Sequence, residues 1–228
     1  MNSGSSEQSL ISSTVVRAPY KYTPNCLDTS PTSQSSSTTI PLVANSTNIE
    51  SKGFLRQTAL HVAAEKGDEQ GVRLLLEKGS DIEARGFLER AALHFAAENG
   101  DGIVVRLLLE RGAKVTAKDI NGETALQRAA RRGREAAVRL LLDCGADVNA
   151  TSKVGATAMN EAARNGQTAV VQFLLDNGTD IAARDNRGRT ALDWAIVNNH
   201  KTVIQSLQLE GHNSDPGKGM FNLLSINS

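Results

Sequence analysis

A disulfide framework, aromatic clusters, a charge surplus and long apolar runs are all missing from this 228-residue sequence. Cys26 and Cys144 are its only cysteines. One pair cannot make a disulfide framework, so a reducing, intracellular address is expected. Lys+Arg and Asp+Glu both number 25, giving a formal net charge of zero, whereas a protein that seeks polyanions or membrane surfaces is normally lopsided. No apolar run approaches the ~20 residues of a spanning helix, so no membrane association is expected. The first thirty residues lack a basic start followed by an apolar stretch. No secretory signal is therefore expected, and the glycosylation sequons at Asn45, Asn149 and Asn177 read as chance. Cytoplasm or nucleus is the expected location.

Residues that carry catalysis are equally scarce. His61, His94, His200 and His212, with the two cysteines, show none of the close spacings of a zinc site. Gly211 to Gly219 superficially suggests a phosphate loop, but its spacing is one residue too long, and Gly219 stands where Ser or Thr belongs. No Gly-x-Ser-x-Gly occurs, and no Cys/His pair has a plausible third partner. Asp68-Glu69 reads as a solvated helix start. The expectation is no catalytic residue, no metal and no cofactor.

What is present begins with a sharp change of composition near residue 50. Residues 1–50 hold 12 Ser, 7 Thr, four of the five prolines and five charged residues, with apolar residues in no regular period. Such a segment buries too little apolar surface to offset its chain entropy, and residues 1–52 are expected to be a disordered tail. Thr23-Pro24 and Ser30-Pro31 are either acceptors of a proline-directed phosphate or chance dipeptides.

From residue 53 the chain repeats itself. Thr58-Ala59-Leu60-His61 recurs as Ala91-Ala92-Leu93-His94, Thr124-Ala125-Leu126-Gln127, Thr157-Ala158-Met159-Asn160 and Thr190-Ala191-Leu192-Asp193, each 33 residues after the last. Leu74-Leu75-Leu76 returns in the same register as Leu107-Leu108-Leu109, Leu140-Leu141-Leu142 and Phe173-Leu174-Leu175, and gives way to Ser206-Leu207-Gln208. Gly79, Gly112, Gly145, Gly178 and Gly211 follow the Leu-rich block, where a left-handed residue ends a helix. Gly67, Gly100, Gly133 and Gly166 stop an earlier helix, with Asn199, the other residue tolerant of that conformation, in the fifth copy. Two helices of about eight to ten residues per unit are too short to persist alone, so the units must stabilise one another by stacking.

These residues resemble the ankyrin-repeat family, whose 33-residue unit is a turn and two antiparallel helices opened by Thr-Pro-Leu-His. Thr58 to His61 and Gly145-Ala146-Asp147-Val148-Asn149-Ala150 carry the resemblance; Ala replaces the usual proline in all five copies. The resemblance implies an all-α ankyrin-repeat solenoid of five helix-turn-helix units, at 53–85, 86–118, 119–151, 152–184 and 185–211, before a short tail at 212–228. His61 and His94 take the place of the family's structural histidine, a hydrogen-bonding bracket between turns, and Gln127, Asn160 and Asp193 keep a polar side chain there. Ser206 and Gln208 give the last unit a more polar outer face. Met220, Phe221, Leu223, Leu224 and Ile226 form an apolar tail that either folds over the last repeat or docks elsewhere.

The resemblance further implies binding through the turn tips and the inner-helix surface of the concave side. The 29 corresponding positions hold eleven basic and three acidic residues, which predicts a positive concave side, basic in the last three units and apolar in the first two. The candidate partner-binding residues are Phe54, Leu55, Phe87, Leu88, Arg90, Lys118, Arg131, Arg132, Lys153, Arg164, Arg184, Arg187 and Arg189. Phe54 and Phe87 are either exposed anchors or caps packed under the first repeats. The implied function is a non-catalytic, monomeric module that binds a protein with an acidic segment beside an apolar anchor. The alternative is a nuclear coregulator that binds a transcription factor. Nucleic acid is not expected as the partner, since the interleaved aromatics of single-strand readers are missing.

Overall fold

A computed structural model describes residues 50–213 apart from 52, 54 and 55. The Ser/Thr-rich tail, Phe54, Leu55 and the apolar C-terminal residues therefore lie outside the described residues. Those described form ten α-helices and no strand. They run as five pairs: α1 (Ala59–Lys66) with α2 (Glu69–Glu77), α3 (Ala92–Asn99) with α4 (Gly102–Glu110), α5 (Ala125–Arg131) with α6 (Glu135–Asp143), α7 (Ala158–Arg164) with α8 (Thr168–Asp176), and α9 (Ala191–Val197) with α10 (Lys201–Asn213). The odd-numbered helices pack side by side in an inner layer and the even-numbered ones in an outer layer. No described helix is long and apolar enough to cross a membrane.

Small residues let the inner helices approach closely. Ala64, Ala97, Ala130 and Ala163 share one register position and are fully buried, whereas Ile196 at that position in the fifth pair is 54 % exposed. Leu60, Leu93, Leu126 and Met159 fill the space between layers, with Leu75, Leu108, Leu141, Leu174 and Leu207 from the outer helices. The expected stops are present: the backbone is left-handed at Gly67, Gly100, Gly133, Gly166 and Asn199, and again at Gly79, Gly112, Gly145 and Gly178. Gly211 is the exception, because α10 continues through it to Asn213. In the four earlier units the left-handed turn is closed by the N–H of a small residue, Ser80, Ala113, Ala146 or Thr179. Glycine is equally free to stay right-handed.

Successive units are joined by two ladders of hydrogen bonds. At the turn tips the N–H groups of Ile120, Lys153 and Asn186 donate to the carbonyls of Leu88, Asn121 and Val154 at 2.9–3.0 Å. The tips at Gly122, Gly155 and Gly188 turn through glycine, whereas Leu88 and Glu89 make the same turn with φ of 58° and 57°. Each non-glycine residue held there stores about 1–2 kcal/mol of strain.

The second ladder is the polar bracket behind each inner helix. His61 Nδ1 accepts from the Thr58 N–H at 3.1 Å, while its Nε2–H donates to the carbonyls of Ala84 and Arg90 at 2.9 and 3.0 Å. Gln127 does the same with an amide: Oε1 accepts from the Thr124 N–H, and Nε2 donates to Ala150 and Ala156. His94 accepts from the Ala91 N–H and donates to the Glu123 carbonyl. Asn160 accepts from the Thr157 N–H at 2.9 Å. Being one methylene shorter than Gln, it does not reach the next turn, and its buried Nδ2 has no hydrogen-bond partner.

Two stability measurements follow from the bracket. Burial pushes the His94 imidazole down to about 4. Above pH 6.5 it is neutral in folded and unfolded chains alike. Between 6.5 and 4 only the unfolded chain takes up the proton, so stability falls as the pH falls, by about 3 kcal/mol in all. Urea melts of His94→Gln, which keeps the bracket without the titration, should show a flatter slope in that window, and an unchanged slope would refute the assignment. Asn160→Gln should reach the carbonyls that Asn160 misses and add about 1 kcal/mol; melts showing no gain would count against the bracket.

Candidate functional site

The surface formed by the inner helices and the bases of the turn tips carries three charged rows in strict 33-residue register. One holds Gln57, Arg90, Glu123, Ala156 and Arg189; the second Val62, Phe95, Arg128, Glu161 and Trp194; the third Glu65, Glu98, Arg131, Arg164 and Val197. A residue of the third row lies near the first-row residue of its own unit, eight positions earlier. It also lies near the second-row residue of the following unit, thirty positions later. Opposite charges meet at both spacings.

Through these contacts Arg90, Arg128, Arg131 and Arg132 form one network with Glu98, Asp119, Glu123 and Glu161. Arg128 is the hub: its side chain is 4 % exposed and lies 2.7 Å from Asp119, 2.7 Å from Glu123 and 3.4 Å from Glu98. Arg131 pairs with Glu123 and, at 2.9 Å, with Glu161. Arg132 reaches Glu98 at 2.8 Å, and Arg90 lies 3.5 Å from Glu98 and 3.6 Å from Asp119. Asp119 Oδ1 also accepts from the N–H groups of Asn121 and Glu123. Burial pushes the Asp119 carboxyl up, but the hydrogen bonds from Arg128 and the Glu123 N–H outweigh it and hold the group below the usual carboxylate range. Glu98 is also held low: burial opposes this, and the Arg132 hydrogen bond with the charges of Arg128 and Arg90 prevails. For Arg131, burial is outweighed by Glu161 and Glu123, and the cation is reinforced.

Four cations and four carboxylates cancel, which corrects the expected basic run over the last three units. In the third unit Arg131 and Arg132 are neutralised from within, and Arg90 in the second unit is drawn into the same network. Asp119 and Glu161, which supply half of the negative charge, fall outside the 29 positions on which that expectation rested, as do the hub Arg128 and Trp194. Opposite charges recurring eight and thirty residues apart are the signal by which the sequence could have revealed the network.

The remaining cations lie mainly in the last two units. Lys153 and Arg187 are exposed, Lys118 Nζ donates to the Thr151 carbonyl at 2.8 Å, and Arg184 donates to the Gly188 carbonyl at 2.6 Å. Arg164 and Arg189 stack on Trp194, their guanidinium carbons 4.5 and 3.5 Å from the ring centre. The indole N–H donates to Asp185, which also pairs with Arg189 at 3.1 Å. At the opposite end Phe87 is 40 % exposed on its tip, and Leu88 is half-buried beside it. Among the described residues no three His, Cys, Asp or Glu side chains gather as metal ligands.

A family model described as ankyrin repeats (3 copies) matches residues 60–152 and, a second time, 150–218. No match was found among curated proteins.

The network generates a contrast between two arginines. Arg128→Met strands Asp119 and Glu123 without their buried partner and should destabilise the fold by about 3–5 kcal/mol. Arg132, whose side chain is 58 % exposed, should lose less than about 1 kcal/mol on change to Ala. Denaturant midpoints of the two variants, compared at neutral pH, test this, and equal losses would mean that the hub is misassigned.

Proposed function

The chain belongs to the ankyrin-repeat family, a family of protein–protein interaction modules, and we propose that it is a non-catalytic, monomeric binder of one partner protein. The partner lies in the concave groove and across the turn tips, and it brings an acidic segment beside an apolar anchor. One observation carries this reading: self-neutralisation of the middle units leaves most of the groove's accessible positive charge in the last two units. Lys153, Arg164, Arg184 and Arg187 are all exposed there, together with Val154 and Val197, at 62 % and 67 %. Exposed cations steer an acidic partner and set specificity, while apolar contact supplies the larger share of affinity. The same surface would serve a coregulator that binds a transcription factor in the nucleus, a reading distinguished by compartment alone.

Lys153→Glu combined with Arg187→Glu reverses two exposed tip charges without touching the buried network. Proximity labelling in cells, with native and double-variant chains of equal helicity by circular dichroism, should show selective loss of proteins that carry acidic segments. Identical labelled sets would overturn the basic tips as the docking surface.

A further inference from the structure

The groove contains its own example of how a carboxylate sits on its third row. Arg131 is flanked by Glu123, eight residues before it, and by Glu161, thirty residues after it. Arg164 stands 33 residues on, in the same register, and both flanking carboxylates are replaced there: Ala156 occupies the Glu123 position and Trp194 the Glu161 position. Glu161, one helical turn before Arg164, is held by Arg131 at 2.9 Å. Among the described residues the Arg164 guanidinium has no ion pair or hydrogen bond; it lies over the face of Trp194, 4.5 Å from the ring centre. A guanidinium covered on its face still presents its in-plane N–H groups, the edge that grips a carboxylate with two parallel hydrogen bonds. Its neighbour on the ring, Arg189, is already paired with Asp185, so Arg164 is the cation left with a free edge at this point.

We propose that Arg164 is the receptor for a single Asp or Glu side chain of an acidic peptide segment, which fills beside it the place that Glu123 fills beside Arg131. Ala156 carries only a methyl group where Glu123 carries its carboxylate, Trp194 covers the guanidinium face, and the exposed Val154 and Val197, two residues before Ala156 and 33 after Arg164, are available to an adjoining apolar residue. The inference rests on the groove reading above and deepens it by assigning one residue to one carboxylate.

The test uses the full chain as bait for a random-peptide phage library, alongside Arg164→Gln and Ala156→Glu variants. Ala156→Glu supplies the missing carboxylate from within, as Glu123 does at the same register. Wild-type chain should select peptides that share an Asp or Glu at one position. A synthetic peptide of that sequence should bind both variants about ten-fold more weakly or worse. Changing the shared carboxylate to its amide should weaken binding to wild type equally and have no further effect on Arg164→Gln, the signature of a coupled pair. Should Ala156→Glu fail to fold, the exposed Arg164→Gln and the amide peptide still complete that cycle. Selected peptides that lack a shared acid, or that bind Arg164→Gln as tightly as wild type, overturn the assignment and leave the groove reading in place. No selection by wild-type chain would bring down the groove reading, and this inference with it.

Discussion

A helix of seven to nine residues does not hold in water by itself, and nine of the ten helices here are of that length. The structure therefore depends on the interface between one helix pair and the next. The alanines of the inner layer bring backbones close, the leucines seal the space between layers, and the bracket of His61, His94 and Gln127 ties the first three inner helices to the loop of the following unit. Because the bracket fixes the positions of the turn bases, it also fixes Arg90, Glu123 and Ala156 relative to the helices they face. The geometry of the groove is a by-product of the interaction that holds the stack together.

The charges within that groove follow from the same register. Taking Arg128, Asp119 and Glu123 out of water is unfavourable unless they are paired from within; each finds an opposite charge at 2.7 Å, although Arg128 Nε and Glu123 Oε2 make no hydrogen bond. The middle of the inner face is a network of four cations and four carboxylates. Where the rows run out of carboxylates, at Ala156 and Trp194, Arg164 is left exposed without an ion pair. A neutral protein has thus acquired a local positive surface by exhausting its internal anions at one end.

The repeat was legible in the sequence because glycine and Asn199 mark conformations that few other residues tolerate, and because Thr, Ala and Leu recur where close packing leaves little choice. The continuation of α10 through Gly211 was not, since glycine permits a stop without compelling one. The groove was legible in outline only. Tallying signs at exposed positions treats each residue as independent, whereas Arg131 and Glu161 are thirty residues apart and meet only after stacking. Arg128 was passed over because its register position holds apolar Val62, Phe95 and Trp194 in other units, which makes it read as scaffold. Asp119 lies at the foot of a tip, where a carboxylate looks like ordinary turn chemistry until its second oxygen is seen to face Arg128.

The change of sign along the third and second rows has a bearing on how the chain assembles. Repeat units are similar enough to dock in the wrong order, a recognised failure of such arrays. If the third helix pair were skipped and the second placed against the fourth, Glu98 would face Glu161, two carboxylates with no guanidinium between them. In native order Glu98 faces Arg128, and Arg131 faces Glu161. The charged rows therefore act as a key that rejects this frame-shifted neighbour, a task that the nearly interchangeable alanines and leucines of the core cannot perform.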